Sequence, residues 1–251
     1  MTAVDVARHT ALLTGRGIRR STREVDALLL AVALPVLLMV LFVVVFGGAL
    51  RPDGRYVDYV VPGVILLCAG YGAAQTAVAV AGDMTEGIVD RLRTMPVAAS
   101  AVLTGHVVAS MARNALAMVA VVAVALALGF RPSAGPLQWL AAAGILALFV
   151  LAVSWVSACL GLVARSVEAA SGFTFAVLFL PYLSSAFVPT ETMPRALQGF
   201  AEHQPITLVV EAVRGLLLGT PTTTAGAAVL WCAALAAAGA TGAAVLFRRA
   251  R

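Results

Sequence analysis

Lysine is absent from this chain of 251 residues, and all 17 basic side chains are arginine. A Walker A loop needs a lysine to reach the phosphates of ATP, so ATP binding and hydrolysis by that route is excluded. The arginine bias itself reads as the codon usage of GC-rich DNA. Charge of either sign is scarce: 12% of the residues are charged and 61% are hydrophobic, against roughly 25% charged in a soluble domain. That balance excludes a soluble globular fold and predicts an all-α integral membrane protein. Histidine is equally sparse. His9, His106 and His203 stand in three separate places with no HExxH and no GxSG, so the converging groups of an intramembrane enzyme are missing and no metal site is expected. Cys68, Cys159 and Cys232 all lie in apolar runs with no CxxC. They are silent on redox compartment, because a buried free cysteine behaves as a small hydrophobe.

What is present is long apolar runs. A spanning helix needs about 20 predominantly apolar residues, and six segments qualify: about 27–46 with Pro35 in its first half, 59–82, 114–130, 137–163, 169–188 bent at Pro181, and 225–247. Tyr56 and Tyr59 open the second at a membrane interface, where aromatic rings collect. The basic region before the first run is long and the run itself exceeds a signal-peptide core of 7–15 residues. An uncleaved first span is expected. With no stretch free for a soluble domain, residues 1–251 read as a single transmembrane domain.

Arginine placement sets the orientation. With six spans both termini share a side, and that side carries Arg8, Arg16, Arg19, Arg20, Arg23, Arg91, Arg93, Arg165, Arg248, Arg249 and Arg251. The other carries Arg51, Arg55, Arg131, Arg195 and Arg214. Both termini are therefore predicted to be cytoplasmic. Residues 1–26 mix apolar positions with five arginines and read as an amphipathic helix on an anionic inner leaflet.

The stretch GDMTEGIVDRLRTMPVAAS (82–100) breaks this pattern with Asp83, Glu86, Asp90, Arg91 and Arg93. Charges at a spanning-helix centre cost about 2.5–3.5 kcal/mol each, so these five would cost roughly 12–17 kcal/mol in lipid. The stretch must face water or protein. It reads as a helix over 83–100, with Asp83 and Glu86 in a first turn that favours anions, Gly87 between them and a stop at Pro96. Ile88, Val89, Leu92 and Met95 form a narrow apolar stripe. A surface helix docked against a partner accounts for it better than a solvated loop. From Asn114 to Phe130 the third span covers about 25 Å at 1.5 Å per residue. Arg113 then lies at the inner boundary, where it can snorkel to the headgroups, and residues 98–112 extend the helix below the membrane as a lever.

On the outer side, residues 187–219 hold two apolar pieces too short or too charged to cross. They read as a helical hairpin within 189–224, punctuated by Pro189, Pro194 and Pro205 and dipping into the outer leaflet. Glu211 and Arg214, three apart on one helical face, are placed to pair.

Taken in order, VALPVLLMVLFVVVFGGAL in the first span, EGIVDRLRTMP (Glu86–Pro96), LGFRP after the third span, and SSAFVPTETMPRALQGFAEHQPITLVVEAVRGLLLG resemble the membrane subunit of ABC-2 type transporters, especially the daunorubicin-resistance permease branch. The resemblance covers nearly the whole chain. It implies a six-helix half-transporter that dimerises with a second membrane subunit, same or homologous, and pairs with a separate ATPase. ATP and Mg are then held by that partner and no cofactor by this chain; nucleic acid is not a partner. The family's coupling helix falls here on Asp83, Glu86, Gly87, Asp90, Arg91, Leu92, Arg93 and Pro96, and its re-entrant helices on 189–219. One departure stands out: Gln204 precedes Pro205 where the family commonly has asparagine.

An ATPase-independent secondary transporter or channel is the alternative. Such proteins place ionisable groups near the bilayer midplane. Here the polar residues near span centres are Gln75, Thr76, Ser154, Ser157 and Thr174, all uncharged. That pattern suits amphiphilic cargo and an external energy source. Import is disfavoured because Glu86-Gly87-Ile88 replaces the E-A-A signature of importer permeases.

Overall fold

The computed structural model describes residues 25–50, 56–87 and 99–249, and the regular structure among them is entirely helical. Helix α1 (Val25–Val40) runs on through a π-helical turn (Leu41–Phe46) into a last short piece (Gly47–Leu50). Then come α2 (Tyr56–Thr85), α3 (Ala99–Ala127), α4 (Pro136–Val163) and α5 (Val167–Phe179). Short 3-10 turns at Leu180–Leu183 and Thr190–Thr192 lead to α6 (Arg195–His203), α7 (Pro205–Leu218) and α8 (Ala225–Arg249). The predicted N-terminal amphipathic helix lies outside the described residues, as do Asp90, Arg91, Leu92, Arg93 and Pro96.

Local chemistry sets the boundaries. Pro136 opens α4, its missing N–H costing nothing in the first turn, while Gln138 Oε1 accepts from the Gly135 amide at 2.7 Å. Ser166 caps α5, its Oγ accepting from Ala169 N at 3.2 Å. Pro205 opens α7, and Gly219 closes it in the left-handed conformation at φ 67°.

Helix α2 is the centre of the bundle. It is buried on nearly every side and packs against α1, α3, α4 and α5, the place expected of a helix that is apolar all round. Helix α4 lies between α2 and α8. Small residues permit these approaches: a Cβ on Gly161 would stand 2.5 Å from Ala77 O, and one on Gly239 would stand 2.9 Å from Trp155 Cβ. Such contacts hold helices together where the solvent is lipid and apolar burial alone gives no drive. Leu37, Val44, Leu230 and Trp231 point outward from α1 and α8, on surfaces a bilayer would cover.

Among the described residues, five helices are long and apolar enough to cross a membrane: Val32–Ala49, Tyr56–Thr85, Val102–Ala127, Pro136–Val163 and Ala225–Arg249. The fifth expected span is shorter than the sequence suggested. It covers Val167–Leu183, and its α-helical part stops at Phe179, just before Pro181. Proline cannot donate to the ladder and crowds the preceding turn, so the chain tightens there and then extends. The third helix is unbroken from Ala99 through Arg113 to Ala127, so residues 99–112 do extend it beyond the expected span, and it ends three residues short of the expected Phe130.

Candidate functional site

The end of α2 that the arginine count assigns to the cytoplasmic side (the inner end by that expectation, the opposite one being the outer) carries the first described part of the charged stretch. After Pro62 the helix meets no further proline, so it continues through Asp83 to Thr85 and ends in a turn, with Glu86 N donating to Gly82 O at 2.9 Å and Gly87 N to Met84 O at 3.2 Å. Gly87 takes φ 68°, a left-handed conformation that suits glycine at a helix C-terminus. The sequence reading put Asp83 and Glu86 in the first turn of a new helix. Asp83 instead belongs to the last turn of the preceding one, and Glu86 lies in the exposed turn beyond it.

That position is a poor one for a carboxylate, because the helix C-terminus carries partial negative charge. Asp83 is nevertheless buried. His106, on α3, lies within reach: His106 Nε2 to Asp83 Oδ2 is 3.1 Å. A carboxylate only accepts, so the imidazole N–H donates. From His106 to Ala127, α3 climbs roughly 32 Å at 1.5 Å per residue. A hydrocarbon layer is about 30 Å thick, so this contact stands at one rim of the stretch that α3 can span. Arg113, half-buried two turns further along α3, precedes Asn114.

Above the inner end lies a layer of buried polar side chains. Thr76, Ser110, Asn114, Ser154 and Ser157 are all at most 2% exposed. Ser110 Oγ and Ser154 Oγ are 3.0 Å apart, joining α3 to α4, and Asn114 Nδ2 donates to Ser110 O at 3.0 Å. Asn114 also packs so closely on α2 that a Cβ on Gly72 would stand 2.2 Å from its Oδ1. The sequence marked Thr76, Ser154 and Ser157 as mild polar residues near span centres. It missed that Ser110 and Asn114 join them, since these stand in a run read as the margin of a span.

The outer end is tied differently. The chain leaving the 3-10 turn at Leu180–Leu183 passes between α2 and α7, and three alternate carbonyls along it are taken by side chains. Gln204 Nε2 donates to Leu183 O. Tyr59 OH and Arg214 Nη2 both donate to Ser185 O, at 2.9 and 2.7 Å. Tyr56 OH donates to Phe187 O at 2.7 Å. Arg214 Nε also donates to Tyr59 O at 3.2 Å, and its guanidinium carbon lies 3.9 Å from the centre of the Tyr59 ring. The Arg214 guanidinium thus points inward to α2, not along its own helix towards Glu211. Phe187 stacks between Phe42 and Tyr182, at centroid distances of 4.7 and 4.9 Å.

Two helices, α6 and α7, stand where the hairpin was expected. Pro189 precedes the 3-10 turn at Thr190–Thr192, Pro194 caps α6, and Pro205 opens α7. Gln204, the departure noted in the sequence, is buried and bonded into this knot. The LGFRP run is also tied to α2: Arg131 N donates to Asp58 Oδ1 at 3.3 Å, and Phe130 is fully buried.

Comparison with known proteins meets this geometry with a consistent set of relatives. Residues 8–218 match the ABC-2 type transporter family. The chain is 33% identical over 191 residues to the daunorubicin resistance ABC transporter permease protein DrrB1 of Streptomyces coeruleorubidus, covering 75% of this chain and 68% of that protein. It is 26% identical over 250 residues to the probable doxorubicin resistance ABC transporter permease protein DrrC of Mycobacterium tuberculosis, covering 96% of this chain and 89% of that one. The matched span runs from the basic N-terminal region through the charged stretch to the end of α7, so it takes in both the inner and the outer ends of the bundle. This chain belongs to the ABC-2 type transporter family, as a multi-pass membrane permease component.

Proposed function

We propose that the chain is the permease half of an ATP-driven exporter that moves amphiphilic or apolar compounds outward, energised by a separate ATPase. The observation that carries this reading is the family match across a charged connector, residues 86–98, set between two long spanning helices. Glu86, Asp90, Arg91 and Arg93 supply the charges on which an ATPase subunit docks, with ATP and Mg held by that subunit. Its closure presses on the connector, and α2 and α3 carry the motion outward. A second membrane subunit completes the translocation path. The names of the relatives supply the cargo class, drug-like compounds of the daunorubicin and doxorubicin kind.

Six crossings, with both termini on the cytoplasmic face of a bacterial inner membrane, are part of the proposal. The path of α5 and its extension supports the sixth. Ala170 clusters with Ala77 and Ala81, Thr174 Oγ1 donates to Ala74 O at 3.4 Å, and Phe187 meets Tyr56. The segment therefore runs antiparallel along α2 from about residue 80 to residue 56, roughly 35 Å of helix at 1.5 Å per residue. That is enough to cross a hydrocarbon layer of about 30 Å. The α6–α7 hairpin then forms an outer gate, re-entering the outer leaflet.

The test is export of doxorubicin from cells that express the chain with its cognate ATPase. Exchanging the charges of the connector, Glu86→Arg with Arg91→Glu, should abolish export while membrane insertion stays intact. Wild-type export from that double variant refutes the docking role.

A further inference from the structure

We propose that Asp83 and His106 are positioning residues that make α2 and α3 a single lever, so that a push on the connector between them moves both helices together. The proposal rests on the docking reading above, and adds which helices move as one body and what joins them.

The connector leaves α2 after Gly87 and enters α3 at Ala99. A force applied to such a segment has two fates. It can pull its two anchoring helices apart, or it can shift them as a unit. The outcome depends on whether the helices are joined near the point of attack. Asp83 sits four residues before Gly87, and His106 sits seven residues into α3, which places the joint one to two turns above the connector. The His106 imidazole N–H to Asp83 carboxylate contact, at 3.1 Å, joins the two helices there. A hydrogen bond to an ionised acceptor is shorter and about twice as strong as a neutral one, and burial of Asp83 keeps water from competing for it.

A second contact lies higher on the same seam. Asn114 is two turns beyond His106 on α3, and Gly72 about three turns before Asp83 on α2; the two meet so closely that no Cβ fits on Gly72. The contacts fall in antiparallel register, 83 with 106 and 72 with 114, so the helices are joined at two heights. A hydrogen bond at one height and close packing at another together oppose both splaying and relative rotation. A single tie suppresses only the first.

The test uses the full complex of this chain with its cognate ATPase in lipid nanodiscs, with ATP and Mg as the probe. The native Cys68, Cys159 and Cys232 are replaced by serine, and spin labels are attached through cysteines at Thr85 and Val108, both exposed and each two residues beyond the pair. A second label pair joins Thr85 to Arg165, in the exposed turn between α4 and α5. The expected result is a Thr85–Val108 distance that stays fixed on ATP binding while the Thr85–Arg165 distance changes. In His106→Ala the Thr85–Val108 distance should broaden or shift with ATP, and in His106→Gln, whose amide also donates to a carboxylate, it should be fixed again. Thermal unfolding of the variants, read separately, should move little.

A Thr85–Val108 distance that widens with ATP in the parent complex overturns the lever while leaving docking in place. A distance that stays fixed in His106→Ala assigns the joint to other contacts and overturns the role of the pair. Failure of the parent chain to co-elute with the ATPase overturns the docking reading first, and the lever with it.

Discussion

The two ends of this bundle are held in different ways. At the outer end, side chains from α2 and the hairpin take consecutive alternate carbonyls of residues 183–187, and an arginine both bonds two of the partners and stacks on a tyrosine. At the inner end, an acid on α2 meets an imidazole on α3 beside an exposed turn. The difference follows from what each end must satisfy. Residues 184–187 lie beyond the 3-10 turn and are not helical, and non-helical backbone at membrane depth is tolerated only where protein supplies its hydrogen bonds. The inner end has regular helix up to Thr85 and needs no such help, so its polar contact is free to serve positioning. The outer end should then answer to substitution chiefly in stability, and the inner end chiefly in coupling.

The largest expected effect is at Arg214. Arg214→Ala removes two hydrogen bonds to carbonyls and the stacking on Tyr59, and leaves Ser185 O short of a donor; a loss of about 3 kcal/mol is expected, given 1.5–3 kcal/mol for bonds to charged groups. Thermal unfolding in detergent measures it. Arg214→Lys should recover little, because a lysine cannot reproduce the planar fork that reaches both carbonyls. A drop no greater than that of an ordinary surface substitution would remove the contrast between the ends.

Next comes the middle of the seam. Gly72→Ala places a methyl group 2.2 Å from Asn114 Oδ1 and should cost about 2 kcal/mol, in the range of overpacking a close-packed interior. The double variant Gly72→Ala with Asn114→Ala should return much of that loss, since the two residues are in contact and their effects are not additive. Unfolding midpoints of the four proteins of the cycle decide it; plain additivity would show that the clash relaxes elsewhere.

Tyr56→Phe deletes one buried hydroxyl bond to Phe187 O and keeps the ring. It should cost about 1 kcal/mol, the net worth of a typical hydrogen bond. The smallest stability effect is predicted at the inner end: His106 is partly exposed, so in His106→Ala water enters where the imidazole stood and takes over its bond to Asp83, and the cost should be less than about 1 kcal/mol. A larger loss there than at Tyr56 would reverse the comparison.

Much of the fold was legible from length and composition. The spans that became α1, α2, α4 and α8 were located to within a few residues, because a run of about 20 apolar side chains has few other uses. The division of the late segment into α6 and α7 was legible from its prolines, which can open a helix but not continue one. What escaped was set by tertiary partners. Asp83 looked like the start of a charged helix because its sequence neighbours are charged; only His106, 23 residues on, shows that it belongs to the end of α2. Arg214 looked paired with Glu211 because they share a helical face, yet it turns to carbonyls that no local pattern announces. Ser110 and Asn114 were passed over for the same reason. The buried layer they form with Ser154 draws on α2, α3 and α4, and no single helix displays it.

The central claim, that force enters this permease from a separate ATPase through the charged connector, is tested most directly by photocrosslinking. A photoreactive group introduced at Glu86, with a control at Thr192 in the outer turn, is activated in membranes containing the cognate ATPase. The account predicts an adduct with the ATPase from Glu86 and none from Thr192. An adduct from Thr192 alone, or doxorubicin export that continues with no ATPase captured at Glu86, would contradict it.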